Sequence, residues 1–172
     1  MLFVFLGNPG IKYRMNRHNS GFLFADFLET KIKGIKWNSK FKGEWAKVDI
    51  NGNPHYFLKP QTFMNKSGES VLAMTSFFKI PVKEIVVVHD DIETDFEKVA
   101  IKKGGGTAGH NGLRSISKVF GTNDYLRLKI GTGRPSKGDV SSFVLGNFTD
   151  DEQIVLPLIF DKAFDLLAGL EL

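Results

Sequence analysis

The sequence predicts an α/β fold: a single domain over residues 1–172 with a mixed, mostly parallel, twisted sheet flanked by helices. Three observations predict it. Strand-like and helix-like segments alternate along the chain, which is typical of parallel strands joined by crossover helices. A hairpin signal at Asn51-Gly52-Asn53 adds an antiparallel part. The length of 172 residues suffices for a buried core without disulfides, and the chain has no Cys.

The first half of the chain contains three predicted strands and two predicted helices. Leu2–Leu6 is a short apolar run that ends in a turn signal, which predicts a buried strand. Apolar residues then recur at helical spacing over Ser20–Lys33. Glu44–Ile50 and His55–Leu58 flank the hairpin signal. A second helix is predicted from Ser67 and must stop before Pro81.

The second half repeats the alternation. Glu84–Val88 carries three consecutive valines and is the strongest strand signal, followed by a shorter one at Val99–Lys103. A helix over Gly109–Phe120 and a strand over Leu126–Ile130 come next. Thr149 and Glu152 form a capping-box pattern, which predicts a final helix that runs to about Leu167.

Polar side chains follow several of the predicted strands. Ligands of open α/β sheets bind beyond the carboxyl ends of the strands, so these segments are expected to converge on one edge. The segments are Gly7–Gly10, Lys59–Asn65, His89–Asp91 and Gly104–Gly112. They would bring Asn, His and Asp side chains together in one place.

His18 and Asp90 are the first candidates for catalysis. His18 precedes the first predicted helix, where a neutral imidazole could act as a general base near neutral pH. For a lone His, a capping or surface role is the simpler interpretation. Asp90 ends the valine-rich strand and could orient a His, as the acid of a catalytic triad does. A turn or N-cap role is the alternative for Asp90.

Two cofactor sites are weaker alternatives. The His89–Asp91 segment could bind a metal with His18 or His110, but no metal-ligand spacing such as His-x-x-x-His supports this. The segment Gly104–Gly109 matches a dinucleotide fingerprint, but the following strand ends in Ile130–Thr132 and lacks the expected acid. The sequence therefore predicts neither a metal nor a cofactor.

The nucleophiles of covalent hydrolases are also missing from the sequence. It has no Cys and no Gly-x-Ser-x-Gly elbow, and it has no Gly-Lys-Ser/Thr phosphate loop. A hydrolase with this sequence would activate water directly. Asn8, Asn65 and Asn111 would then offer amide donors and acceptors to a peptide-like group. Each Asn taken alone is alternatively a turn residue.

The charge is unevenly distributed along the chain. The net charge is +4, from 23 basic and 19 acidic residues. Residues 150–172 hold six acids and one base, so residues 1–149 carry 22 bases and 13 acids, a net of +9. Such a body could bind a polyanion, although an ordinary solvated surface is the simpler explanation of charge alone.

The hydropathy pattern gives no indication of a membrane or secretory segment. The apolar runs fall far short of the roughly 20 residues that a membrane helix needs. No basic region precedes the first apolar run, which stops at Gly7–Gly10, so a signal peptide is not expected. We expect a cytoplasmic protein.

Several motifs in register resemble the bacterial peptidyl-tRNA hydrolase family. In chain order they are Leu6–Gly10, Arg17–Gly21, Lys59–Asn65 with Ser67-Gly68, His89–Asp91, Gly104–Gly106 with Gly109–Ser115, and Arg127–Gly131. Their order and spacing match that family from Met1 to about Phe148. After Asp91 the family usually reads Leu-Asp-Leu-Pro, whereas this chain reads Ile92–Glu97 as Ile-Glu-Thr-Asp-Phe-Glu.

The resemblance implies a monomeric, cofactor-free esterase that releases free tRNA from peptidyl-tRNA. His18 matches the family's catalytic base, and Asp90 matches the acid that orients it. The positions that match substrate, water and cleft-wall residues are Asn8, Tyr13, Met64, Asn65, His110 and Asn111. Lys102 and Lys129 match basic positions on the tRNA side, and the clustering of bases adds Lys103 and Arg134 to that face.

Two rival functions stay open on the sequence alone. One is a non-catalytic RNA-binding module on the same fold, because fold does not fix function. The presence of both His18 and Asp90 favours the enzyme over this module. The other is a nucleotide-dependent oxidoreductase that uses the Gly-rich segment, and it would bind a dinucleotide.

Overall fold

Seven strands form one sheet in the computed structural model, which describes residues 1–170. The strands are β1 (Leu2–Phe5), β2 (Asn38–Lys40), β3 (Gly43–Ile50), β4 (Asn53–Pro60), β5 (Ile85–Asp91), β6 (Val99–Lys103) and β7 (Leu126–Gly131). Their order across the sheet is β2-β3-β4-β1-β5-β7-β6. The four central strands are parallel, and antiparallel pairs complete both sides. The predicted α/β fold with a mixed sheet is confirmed.

Helices cover both faces of the sheet. The α-helices of the described residues are α1 (Ser20–Lys31), α2 (Ser67–Phe78), α3 (Asn111–Phe120), α4 (Val140–Val144) and α5 (Asp150–Ala168). On one face, Phe24 of α1 and Phe160 of α5 belong to the same buried cluster as Phe5 of β1. On the other face, Val71 of α2 and Ile116 of α3 belong to a second buried cluster. The sheet therefore separates two hydrophobic cores.

The central strands are apolar because both of their faces are covered. β1 reads Leu-Phe-Val-Phe, and all four of its residues are buried. β5 is buried along its whole length, including His89, Asp90 and Asp91 at its carboxyl end. Strands that are buried on both faces are expected to be continuous apolar runs, so the polar end of β5 is the exception that marks the site.

Most predicted boundaries hold to within a few residues. The capping box is confirmed, since Thr149 and Glu152 each accept the other's backbone N–H at 3.1 and 2.8 Å. α3 begins at Asn111 rather than at the predicted Gly109, because Gly109 has a left-handed φ of +78° and His110 is the N-cap. Two short elements were not predicted: β2 is three exposed polar residues, and α4 has only five residues.

One expectation about topology is wrong. β6 runs antiparallel to β7, and Lys103 pairs with Leu126 at the amino end of that strand. The Gly-rich segment that follows β6 therefore starts at the edge opposite Asp90, not at the edge where the other segments meet. The segment returns along β7, where the Arg127 guanidinium donates to the carbonyl oxygens of Gly105 and Gly106 at 2.7 and 2.6 Å. Its later part, residues 107–111, reaches the predicted edge, where His110 contacts Asp90.

Candidate active site

A buried carboxylate between two imidazoles lies at the carboxyl edge of the sheet. Both carboxylate oxygens of Asp90, on β5, are 2.9 Å from His18 Nδ1. Oδ1 of Asp90 is also 2.9 Å from His110 Nε2. The ring centroids of His18 and His110 are 4.6 Å apart. Residues from three separate parts of the chain thus form one hydrogen-bonded cluster, the His–Asp–His cluster.

The position of His18 depends on a close approach between α1 and the sheet. His18 lies in a 3-10 turn, Arg17–Asn19, directly before α1. Gly21 in the first turn of α1 has no room for a side chain, because a Cβ there would lie 2.4 Å from the backbone nitrogen of Leu6. This contact places the start of α1, and with it His18, against the ends of the central strands.

Arg17 ties the His18 turn to the C-terminal part of the fold. Its buried guanidinium donates to Glu152 at 2.9 Å and to the carbonyl of Phe143 at 3.2 Å. The guanidinium carbon also lies 4.2 Å from the centroid of the Phe143 ring. Since Phe143 belongs to α4, the turn that carries His18 also holds α4 in place.

The pKa of His18 is raised above its ordinary value. Burial opposes the charged imidazolium, but the charge of Asp90 and its hydrogen bond outweigh that effect. For Asp90, burial favours the neutral acid, yet the two imidazoles hold the pKa of its carboxyl far below the usual range. Asp90 is therefore an anion at neutral pH, and it stabilises a proton on His18.

His89 lies beside the cluster but carries no charge. Burial, with a further contribution from His110, lowers the pKa of His89 to about 3. Its Nδ1 lies 2.7 Å from the carbonyl oxygen of Asp90, which assigns the ring proton to Nδ1. His89 is thus a neutral neighbour of the His–Asp–His cluster.

A cavity of about 570 Å³ opens beside the cluster. His18, Asp90 and four further predicted residues line it: Asn8, Met64, Asn65 and Asn111, together with His110 from the cluster. Tyr13 is not among the lining residues. Its ring stands edge-on to Phe63, at 6.5 Å between centroids, and Phe63 forms the wall in its place.

Part of the cavity wall was missed by the sequence analysis. Phe63, which is 58% exposed, was not predicted to line the cleft, whereas its neighbour Met64 in the same motif was. α4 contributes Val140 and Val144, and Leu145 follows directly after it. No local signal distinguishes these residues from ordinary core positions. The packing of α4 against the Arg17 turn brings Val140, Val144 and Leu145 to the cavity.

The three predicted asparagines differ in how firmly they are held. Asn8 is buried, and its Oδ1 accepts the backbone N–H of Met64 at 2.8 Å. Its backbone also exchanges hydrogen bonds with the Asn19 side chain, at 2.9 and 3.0 Å. Asn65 and Asn111 line the cavity with exposed side chains. The hydrogen bond to Oδ1 orients the Asn8 amide, and its N–H groups are available to a ligand.

The four basic residues predicted for the tRNA side do not form one patch of free cations. Lys129 is only 19% exposed in its side chain, and its Nζ lies 3.4 Å from Asp91 Oδ2. Arg134 lines the cavity but is paired with Glu93. Lys103 Nζ is 3.4 Å from Asp124. Lys102 is exposed and forms no ion pair with any residue of 1–170.

His18, Asp90 and His110 are also the residues of the described chain best placed to hold a metal ion, since their ligand atoms lie within 4.8 Å of one another. The hydrogen bonds of His110 do not fit that use. Its Nδ1 accepts the backbone N–H groups of Gly112 and Leu113 at 3.1 and 3.4 Å, so the ring proton is on Nε2. A metal on Nε2 would require that proton to move to Nδ1, against two donors.

The fold and the site together define a class of protein. A buried His–Asp pair lies at the carboxyl edge of a mostly parallel sheet and faces a cavity lined with amide groups. This arrangement is typical of a hydrolase. No helix within residues 1–170 is both long and apolar enough to span a membrane.

Comparison with known proteins agrees with this class and narrows it. The peptidyl-tRNA hydrolase family model matches residues 2–170. A peptidyl-tRNA hydrolase of Geotalea uraniireducens is 47% identical over 96% of this chain and 87% of its own length. One from Bdellovibrio bacteriovorus is 43% identical over 98% of this chain and 91% of its own. The crystal structure of the Acinetobacter baumannii enzyme superposes with a TM-score of 0.88 at 36% identity, covering 98% and 88% of the two chains.

The chain belongs to the peptidyl-tRNA hydrolase family. It is an enzyme, a hydrolase that acts on ester bonds. The resemblance inferred from the motifs is confirmed over nearly the whole chain, including the segment Ile92–Glu97 that departs from the usual family sequence.

Proposed function

We propose that this enzyme hydrolyses the ester between a peptide's C-terminal carbonyl and the 3′-terminal ribose of tRNA, using water activated by His18 and Asp90 without a metal. The observation that carries the proposal is the buried His18–Asp90 pair, at 2.9 Å, beside a cavity lined with amide side chains. Membership of the family supports the substrate. We also propose that the enzyme acts as a cytoplasmic monomer of one domain.

The proton positions suit general-base catalysis. Asp90 is an anion, so His18 donates its Nδ1 proton to it and keeps the lone pair on Nε2. His18 Nε2 takes a proton from water as the water oxygen attacks the ester carbonyl. The bond from the carbonyl carbon to the ribose oxygen then breaks, and His18 returns the proton to that oxygen. Asp90 stabilises the imidazolium between the two steps.

Asn8 is the best-placed donor for the negative charge that develops on the carbonyl oxygen. Its Oδ1 is held by the backbone N–H of Met64, which leaves the amide N–H groups as its contribution to the cavity. A preorganised donor of this kind is worth roughly 3–4 kcal/mol in the transition state. Asn65 and Asn111 are exposed at the cavity wall, where they can pair with peptide backbone without selecting a sequence.

The rival functions have less support. A dinucleotide site needs its Gly-rich turn at the carboxyl end of a parallel strand. In this chain the Gly-rich segment follows β6, an antiparallel edge strand, and Arg127 already binds two of its carbonyl groups. A non-catalytic RNA-binding module would have no use for a buried His18–Asp90 pair in which residues 1–170 leave His18 Nε2 free for a proton.

The test is release of free tRNA from an N-blocked aminoacyl-tRNA. His18→Ala should lower kcat by about 10²–10⁴-fold, the usual contribution of a general base. His55→Ala is a matched control, because His55 is also buried but lies on β4, outside the cavity. EDTA should leave the wild-type rate unchanged. A near-normal rate for His18→Ala, or loss of activity to EDTA with recovery on adding zinc, would contradict the proposed mechanism.

A further inference from the structure

We propose that His110 is a positioning residue: it holds Asp90 through a fixed Nε2–H donor and thereby sets the pH range in which His18 acts as a base. This inference rests on the proposed function and goes beyond it, because family resemblance assigns His110 only to the cleft wall. It follows from the way the two ring nitrogens of His110 are used.

Helix α3 fixes the tautomer of His110. His110 is the N-cap of α3, and its Nδ1 accepts the N–H groups of Gly112 and Leu113. Its backbone N–H donates to the carbonyl of Thr107 at 2.9 Å, which holds the residue in the cap position. A neutral imidazole that accepts at Nδ1 must carry its proton at Nε2.

The Nε2 proton of His110 is directed at Asp90. His110 Nε2 lies 2.9 Å from Oδ1, the oxygen that also contacts His18 Nδ1. Asp90 therefore has two N–H donors in a site where its side chain is 2% exposed. Donors to a carboxylate stabilise its charge and fix its orientation. With His110 in place, Asp90 shares its charge between two partners instead of directing all of it to His18.

The other titratable and charged groups that face the cluster are a neutral imidazole, a carboxylate with its own partners, and three arginines. His89, 5.2 Å from His110 between ring centroids, is neutral because burial lowers its pKa to about 3. Asp91 is bound by Lys129 and by the Thr94 hydroxyl. The arginines on neighbouring elements are permanent cations: Arg17, paired with Glu152, Arg134, paired with Glu93, and Arg114 on the cavity wall. His18 is therefore the group whose titration His110 can influence.

Two substitutions test the roles of the two ring nitrogens separately. His110→Asn keeps an acceptor near the position of Nδ1, and Asn is a favoured N-cap, but its side chain is too short to reach Asp90. His110→Gln places an amide N–H near the position of Nε2 but loses the cap. Each variant thus retains one role of His110 and loses the other.

The measurement is the pH profile of kcat/KM, together with the melting temperature. His110→Asn should melt close to the wild type, and the acid limb of its profile should move to higher pH, by up to about one unit, because Asp90 then acts on His18 alone. His110→Gln should keep the wild-type acid limb and melt at a lower temperature. A purely structural role would move the melting temperature of either variant and leave both acid limbs in place.

The outcomes also separate this inference from the proposed function. If His18→Ala retains a near-normal rate, the general-base mechanism itself fails. If catalysis depends on His18 but the acid limbs of wild type, His110→Asn and His110→Gln coincide, the role of His110 is overturned. Should either variant fail to fold, ¹⁵N NMR of the wild-type histidine rings decides the matter. The Nε2–H tautomer of His110 supports the inference, and the Nδ1–H tautomer overturns it.

Discussion

The His–Asp–His cluster and the basic side predicted for tRNA differ in burial and in how firmly their polar groups are held in the absence of substrate. In the cluster, Asp90 is buried and both of its partners lie at 2.9 Å. On the basic side, Lys103 and Arg134 are exposed and joined to Asp124 and Glu93 in surface ion pairs. Such pairs contribute little stability and exchange readily, whereas buried networks are costly to disturb. If the proposed roles are correct, chemistry relies on preorganised groups and tRNA binding on exchangeable ones.

The two regions also differ in their place on the sheet. Asp90 lies opposite Ile130 of β7, near the carboxyl edge, whereas Lys102 lies opposite Arg127, three residues back along that strand. At about 3.3 Å per residue this is roughly 10 Å along the sheet. A tRNA that contacts both regions must therefore extend from the cavity across the outer strands. Lys129 lies between them and must leave Asp91 if it is to bind phosphate.

The largest effect is expected where the buried network is broken. Asp90→Asn would place an amide beside His18 Nδ1 and favour the tautomer that carries its proton on Nε2, where the lone pair is needed. We expect kcat to fall by about 10²–10⁴-fold with little change in KM for tRNA. Single-turnover ester hydrolysis on full and truncated substrates measures this. A variant that lost affinity instead of turnover would show that Asp90 belongs to binding rather than to chemistry.

A second prediction is that the two regions respond differently to pH and to salt concentration. The proposed mechanism needs neutral His18, so kcat/KM should fall as the pH drops through the pKa of His18. Because that pKa is raised by Asp90, the acid limb should lie above the ordinary value of about 6.5. The pair is buried, so the position of the limb should hardly move between about 50 and 200 mM salt, whereas KM for tRNA should rise over that range. An acid limb whose pH shifts with the salt concentration would contradict this prediction.

The smallest effect is expected on the basic side. Lys102→Ala with Lys129→Ala should raise KM for intact tRNA and leave kcat nearly unchanged, because binding common to ground and transition state is lost. The slope of log affinity against log salt should become shallower by about 0.7–0.9 for each phosphate contact removed. Lys33→Ala with Lys36→Ala is the matched control, since it removes two cations from a segment away from the cavity. If only the control pair changes KM and slope, tRNA docks on the other surface.

Local sequence patterns predicted most of the fold because they report burial and backbone geometry directly. The valine run of β5, the apolar run of β1 and the capping box at Thr149 lie where they were expected. His18 and Asp90 were singled out because their residue types suit a base and its partner, and they are in contact in the fold. The monomeric state and the cytoplasmic location stay predictions.

The structure decided what depends on contacts between distant residues. The strand direction of β6 is a property of its pairing with β7, and nothing within Val99–Lys103 specifies it. Three further features also depend on contacts between distant residues. They are the hydrogen bond from Met64 to Asn8, the ion pair between Lys129 and Asp91, and the presence of Phe63 rather than Tyr13 at the cavity wall.

Periodicity, caps and residue types are local properties, so they predicted most of the helices and strands and the side chains that can do acid–base chemistry, but neither β2 nor α4. That Asp90 has two imidazole partners, 72 and 20 residues away along the chain, depends on tertiary contacts. The contact with His110 depends on the path of the Gly-rich segment back along β7 and on the helix cap that orients the ring. Neither exists until the strands have paired and α3 has packed on the sheet.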